Sequence, residues 1–312
     1  MTSRSVRFLA PLAALLVVVG TATAQQRSGQ CRGLRYGSMR LTSAKVYLDV
    51  ATDKQRTDPV LFRSKLRSAQ AQLDTALRNG GEDAMTLAFF YGEVGILSGD
   101  LVGADSMFTK AEATASEDCL REILRQRRNA WAPFNNGAIN MTRAGNPDST
   151  LTLLRKGNVI YRGDPSGALR MVSIFAQRNQ TDSAIIYALQ AAHSTGEPRF
   201  LDLRKAALFT AGRLQQGANR AADAEATFRE YLRLAPRDLP AMGALGAVLA
   251  LQNKTADANV VYDSLMVFAD TITDSDVLFD AATELVRARR YPLAARLYER
   301  ELGQTGFATP LY

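Results

Sequence analysis

Lys205 to Asp238 reads KAALFTAGRLQQGANRAADAEATFREYLRLAPRD, a stretch of 34 residues. Inside it Gly212 precedes Ala224 by twelve positions, and Phe228 follows Ala224 by four. Residues four apart on a helix share one face, one turn apart. A small residue there lets a neighbouring helix come close, and the large one fills the space beside it. The upstream glycine does the same on a preceding helix, and twelve positions leave room for the rest of that helix and a tight turn. The pattern recurs on either side. It reads Gly246, Ala258 and Tyr262 downstream, and Gly92, Ala104 and Phe108 and then Gly137, Ser149 and Leu153 upstream. Ser149 to Ser183 and Ala224 to Ala258 are both steps of 34 residues. A fixed period of that length means stacked helical hairpins, each shielding the next, rather than a closed globule around one cleft.

Turn chemistry falls where this reading needs it. Ser98-Gly99-Asp100 separates helices expected over 85–98 and 101–114, and Gly145-Asn146-Pro147-Asp148 does so one unit later. Asn179-Gln180-Thr181-Asp182 and Gln252-Asn253-Lys254-Thr255 repeat the plan. Glycine and asparagine end one helix, and aspartate or threonine caps the next. Ala235-Pro236-Arg237-Asp238 is a stop-and-restart signal between units.

On these residues the chain resembles the tetratricopeptide repeat family. The family's small residue stands at Gly92, Gly137, Gly212 and Gly246, with Met171 and Ala282 in place of two glycines. Its second small residue stands at Ala104, Ser149, Ser183, Ala224, Ala258 and Ala294. The bulky partner is Phe108, Leu153, Tyr187, Phe228, Tyr262 and Tyr298, and an earlier unit is marked by Ala69, Leu73 and Ala76. The family tryptophan is missing throughout. The resemblance implies an all-α, right-handed solenoid of about seven hairpins over residues 41–303. Steps of 45 residues from Ala104 to Ser149 and 41 from Ser183 to Ala224 exceed the period. They call for lengthened elements, above all a long helix beginning near Glu117.

The first 24 residues read as a cleaved signal peptide: Arg4 and Arg7, an apolar run from Phe8 to Gly20, and Ala22-Thr23-Ala24 as cleavage site. Export to a periplasmic or secreted location follows, and no later run is long enough to span a bilayer. Formal charge falls from +7 to +5 when Arg4 and Arg7 leave. The basic clusters, Arg121, Arg125, Arg127 and Arg128, then Arg287, Arg289 and Arg290, read as a solvated helix face. Without an interleaved aromatic platform, nucleic acid is not expected as a partner. The two cysteines, Cys31 and Cys119, are expected to bond in an oxidising compartment, clipping residues 25–40 to the long helix.

No constellation for catalysis emerges. The single histidine, His193, closes a helix. Without a second one, and with both cysteines bonded, no metal ligand set assembles, and no cofactor is expected. Asp274 with Asp276 reads as a helix cap and Glu299 with Glu301 as an exposed salt-bridge lattice.

The family resemblance places partner contacts on the concave face, lined by the first helix of each hairpin. Carried over, that gives Phe89 and Glu93, then Trp131, Phe134 and Met141, then Val172 and Phe175, then Phe209 and Arg213. Aromatics at helical spacing also serve as core, and a shift of one residue would bury them. The family's carboxylate clamp needs lysine and asparagine where this chain has Phe89 and Glu93, so that mode is disfavoured. The expectation is a non-enzymatic protein-interaction scaffold of the cell envelope holding a protein or peptide segment. The alternative is an exported receptor for a small ligand or glycan. Residues 304–312, apolar for a terminus, read as a cover for the last hairpin or as a docking tail.

Overall fold

The computed structural model describes residues 31–194 and 197–305, so the expected signal peptide and residues 306–312 lie outside the described residues. Fourteen α-helices and one short 3-10 turn, Pro198–Phe200, make up the described regular structure, with no strand. They pair as seven hairpins. The first three are α1 (Met39–Lys54) with α2 (Pro59–Asn79), α3 (Ala84–Ser98) with α4 (Leu101–Glu112), and α5 (Glu117–Arg143) with α6 (Pro147–Ile160). The next two are α7 (Pro165–Gln177) with α8 (Thr181–Ala192) and α9 (Leu201–Gly217) with α10 (Ala221–Leu234). The last two are α11 (Leu239–Leu251) with α12 (Thr255–Ala269) and α13 (Ser275–Arg287) with α14 (Tyr291–Thr305). Helix α5 is 27 residues long, and this length, with the 3-10 turn before α9, absorbs the two long steps in the repeat.

Each helix packs along its hairpin partner. First helices pack on the preceding hairpin, chiefly on its second helix for α3, α9 and α11 and on its first for α13, with first helices also in contact along the row. Helix α1 touches α3 and α3 touches α5, while α7, α9, α11 and α13 form a second such row. Between the third and fourth hairpins the contact runs through α6 and α7. The glycine and aromatic pairs read from sequence are the seams of the hairpins. A Cβ on Gly92 would lie 2.6 Å from the Phe108 ring, one on Gly212 2.8 Å from Phe228, and one on Gly246 2.5 Å from Tyr262. Only glycine lets these rings lie against the opposing backbone.

From the second hairpin on, every internal turn holds one residue in the left-handed region: Gly99, Gly145, Asn179, Asn219, Asn253 and Arg289. In five of them a backbone bond reaches back over the helix end, such as Gln180 N to Phe175 O at 2.9 Å and Lys254 N to Leu249 O at 3.0 Å. This is the Schellman closure, which satisfies the last carbonyls. Five residues past each left-handed residue sits a fully buried small one: Ala104, Thr150, Ala184, Ala224, Ala258 and Ala294.

That sets a correction for two hairpins. The buried positions are Thr150 and Ala184, not Ser149 and Ser183, which are partly exposed. Their counterparts on the first helices are Ala138 and Val172, one residue after Gly137 and Met171. Ser-Thr and Ser-Ala are adjacent small pairs, so spacing alone could not choose between them.

A second correction concerns the arginine cluster on α5. Arg127 is buried rather than solvated. Its Nε donates to Glu112 at 2.8 Å, its Nη1 to Asp105 and to the carbonyl of Ile160 at 2.9 Å, and its Nη2 to Thr109 at 3.1 Å. The guanidinium also lies over the Phe108 ring, so one side chain ties α4, α5 and α6 together. Arg128 bonds Glu197, in the segment that joins α8 to the 3-10 turn. Arg121 is exposed and pairs with Glu117 at 2.6 Å.

Candidate binding groove of the first three hairpins

The first helices of hairpins one to three surround a cavity of about 1220 Å³. Helix α1 contributes Lys45, Leu48 and Asp49; α3 contributes Phe89, Glu93, Ile96 and Leu97; α5 contributes Glu122, Gln126, Asn129, Pro133 and Phe134. The fourth wall is the segment before α1, through Arg32, Leu34 and Tyr36. This is the inner row of the array, where residues one turn apart on each helix face the same space.

The fourth wall is held by covalent and polar ties. Cys31 and Cys119 form a disulfide, joining residues 88 apart in sequence. Arg32 N donates to Asp118 Oδ2 at 2.6 Å, and Arg35 N to Thr86 Oγ1 at 2.9 Å. Thr86 Oγ1 in turn donates to Asp83 Oδ2 at 2.7 Å, at the N-cap of α3. Hydrogen bonds from Ser116 and from the Arg32 amide hold the Asp118 carboxyl below its ordinary range. Gly33 lies against Ser116 and Cys119, where a Cβ would meet their side chains at 2.9 and 3.0 Å. Tyr36 then rests on Phe90, ring centroids 5.9 Å apart, at the rim of the cavity.

The walls mix apolar side chains, such as Leu48, Phe89, Ile96 and Phe134, with polar and charged ones in similar measure. Lys45 is held by Asp49, one turn along α1. Arg125 chelates Glu122 from the same face of α5, its Nε at 2.8 Å from Oε2. The Gln126 amide donates to both Glu93 and Glu122, at 3.1 Å each. Among the described residues Glu93 has no ion pair, although it is partly withdrawn from water. Burial is the main cause that pushes its carboxyl up to about 7. Lys45 and Arg125 pull the other way, and Asp49 and Glu122 add to the rise.

Of the residues expected to line a groove, Phe89, Glu93 and Phe134 line this cavity. The structure buries Phe89 (2% exposed), Trp131 (7%), Val172 (5%) and Phe175 (3%). Trp131 packs edge-on to Tyr161 at 5.6 Å and presses on Gly157, so it belongs to the seam between α5 and α6. Val172 holds the small-residue position of its hairpin, and Phe175 stacks on Tyr187 at 5.4 Å. Met141 is partly buried at the end of α5, and Phe209 packs against Phe228 and Tyr231.

Arg213 closes the inner face further along. Its Nη1 donates to Glu284 at 2.8 Å, linking α9 to α13 across α11. Glu284 Cβ would lie 3.0 Å from a Cβ on Gly243, so the crossing is tight. Tyr36, Lys45, Asp49, Glu122, Gln126 and Asn129 escaped the sequence reading, and Arg125, read as part of a solvated basic face, lines the cavity and holds Glu122. They sit on α1, on the segment before it and on the part of α5 that precedes Trp131, where no repeat signature sets the register.

Among the described residues no cluster of histidine, cysteine or carboxylate side chains could hold a metal ion. No described helix is long and apolar enough to cross a membrane.

No family model matches the chain, and no curated protein matches it. Solved structures do. MamA from Desulfovibrio magneticus RS-1 aligns at 15% identity and TM-score 0.40, over 58% of this chain and 97% of that one. YrrB, described as a TPR protein with an unusual peptide-binding site, aligns at 12% and 0.39, over 63% and 91%. The apo form of RapI aligns at 10% and 0.42, over 88% and 78%. The hairpin seams and turns described above, rather than these likenesses, define the architecture as an all-α array of the tetratricopeptide type.

Proposed function

We propose that this chain is a protein-interaction scaffold that holds an extended or helical peptide segment in the groove of its first three hairpins. The observation that carries this reading is the cavity itself. Its volume of about 1220 Å³ exceeds the ~300–1000 Å³ of ordinary small-molecule pockets. Walls that mix apolar and polar side chains in similar measure suit a peptide whose side chains alternate between the two. The glycan alternative needs exposed aromatic platforms, and Trp131, its best candidate, is packed inside a hairpin. We read the partner as protein rather than nucleic acid, and the scaffold as non-enzymatic, because most of the groove's carboxylates are paired with cations of the wall itself.

Export to the cell envelope is part of the same proposal. The disulfide supports it, since such a bond persists in oxidising compartments. The proposed division is a cleaved leader over 1–24, a tail over 25–40 tied by Cys31, the array over 41–303 and a tail over 304–312.

A random-peptide phage library panned against the oxidised chain tests the groove. Selected peptides should weaken by about tenfold or more on Asn129→Trp, which fills the cavity from an exposed position. Binders indifferent to that substitution, or no binders at all, would overturn the proposal.

A further inference from the structure

We infer that the groove selects segments carrying a lysine or arginine, whose cationic head group pairs with Glu93. This rests on the peptide-binding reading above and adds the chemistry of the bound segment. The other carboxylates around the cavity are matched inside the protein. Asp49 has Lys45, Asp53 has Lys54 at 2.7 Å, and Glu122 has Arg125. Glu93 has only a shared amide from Gln126. That amide gives one neutral N–H to each of the two carboxylates, and on Glu93 it reaches Oε1, so the other Glu93 oxygen is left for a further donor.

The unpaired cations of the same groove do not compete on equal terms. Arg32 and Arg56 are exposed at the rim, where water already solvates them and a new ion pair contributes little. Glu93 is partly withdrawn from water, where an unmatched charge is costly and a partner correspondingly valuable. Charge complementarity therefore favours a basic side chain entering the cavity over an acidic one lying on its rim. Pro133 supports the same choice, since it cannot donate to the carbonyl of Asn129 one turn earlier, and both residues line the cavity.

Binding of a cation should be coupled to ionisation of Glu93. The groups that face it are Lys45 and Asp49 from α1, Glu122 and Arg125 from α5, and Tyr36 from the segment before α1. Each of the two cations is held by the carboxylate beside it, so none of them supplies the missing charge. With the carboxyl pushed up to about 7, affinity for a basic segment should rise as the pH climbs from about 6 to about 8.

The test uses the tightest library-selected peptide, measured by fluorescence anisotropy on the oxidised full chain. An analogue carries norleucine for lysine, or citrulline for arginine. The account expects the analogue to bind about tenfold weaker or more to the unmodified chain. Glu93→Gln should bind both peptides alike and lose the pH dependence. Selected peptides without a basic residue, or a Glu93→Gln chain that still discriminates, would overturn the inference. Binding blocked by Asn129→Trp but indifferent to Glu93→Gln keeps the groove and removes the cation site. Binding indifferent to Asn129→Trp removes the groove itself.

Discussion

Arg127 shows how a single side chain can be misjudged from its neighbours in sequence. It lies among Arg121, Arg125 and Arg128, and locally that reads as a solvated face. Its partners come from residues 15 to 33 positions away on two other helices, which no local pattern reveals. Breaking a buried, fully bonded charge by removing one partner typically costs about 3–5 kcal/mol. Asp105→Ala, which leaves the guanidinium short of a carboxylate, should sit toward the lower end because Asp105 is partly exposed. Arg127→Ala should lose about 3–5 kcal/mol by urea denaturation, with an unchanged m-value. Glu93 makes the opposite prediction. Its carboxyl binds a proton in the folded chain up to about pH 7 and in the unfolded chain only up to about 4.5. Between those values the folded state holds more protons, so stability falls as pH rises. Glu93→Gln should be more stable than the unmodified chain at about pH 8, by roughly 3 kcal/mol at most, and level with it near pH 4. Equal pH dependence in the two chains would contradict the burial of that carboxyl.

Helix by helix, the array was legible where the signature is unambiguous. Gly92 with Phe108, Gly212 with Phe228 and Gly246 with Tyr262 touch as the spacing required. In the third and fourth hairpins the small position of the second helix slipped by one residue, although Gly137 still faces Leu153 as the spacing required. Ser149-Thr150 and Ser183-Ala184 offer two small residues in a row, and burial rather than spacing selects the second. The slip carried into the groove assignment, which is why Val172 and Phe175 are in the core. The left-handed turn residue is the more dependable marker, because backbone geometry fixes it. Arg289 occupies that place without the freedom of glycine or asparagine. Arg289→Gly should therefore raise stability by roughly 0.5–1 kcal/mol, read as a higher melting temperature. Gly246→Ala should lower it by about 1–3 kcal/mol, because the new methyl group meets the Tyr262 ring. A neutral result at Gly246 would mean that the hairpin seam yields easily.

Across the whole molecule the two ends of the array differ. The first three hairpins leave an open inner cavity, walled on one side by the disulfide-tied segment. The last three are drawn together by Arg213 and Glu284 across α11. Fold class, hairpin number, the long helix and the cysteine pairing could be read from the chain. This asymmetry could not, because it depends on which charged residues meet across hairpins. On the chain-entropy model the 88-residue separation makes the disulfide worth at most about 4–5 kcal/mol. Reduction should lower the melting temperature and also weaken peptide binding, since it frees the wall that carries Tyr36. The groove is tested most directly by hydrogen–deuterium exchange of the oxidised chain with and without the tightest selected peptide. The account predicts slowed exchange over 45–56, 89–101 and 122–134, with α9 to α13 unchanged. Protection confined to α9 to α13, with those three stretches unaffected, would contradict it.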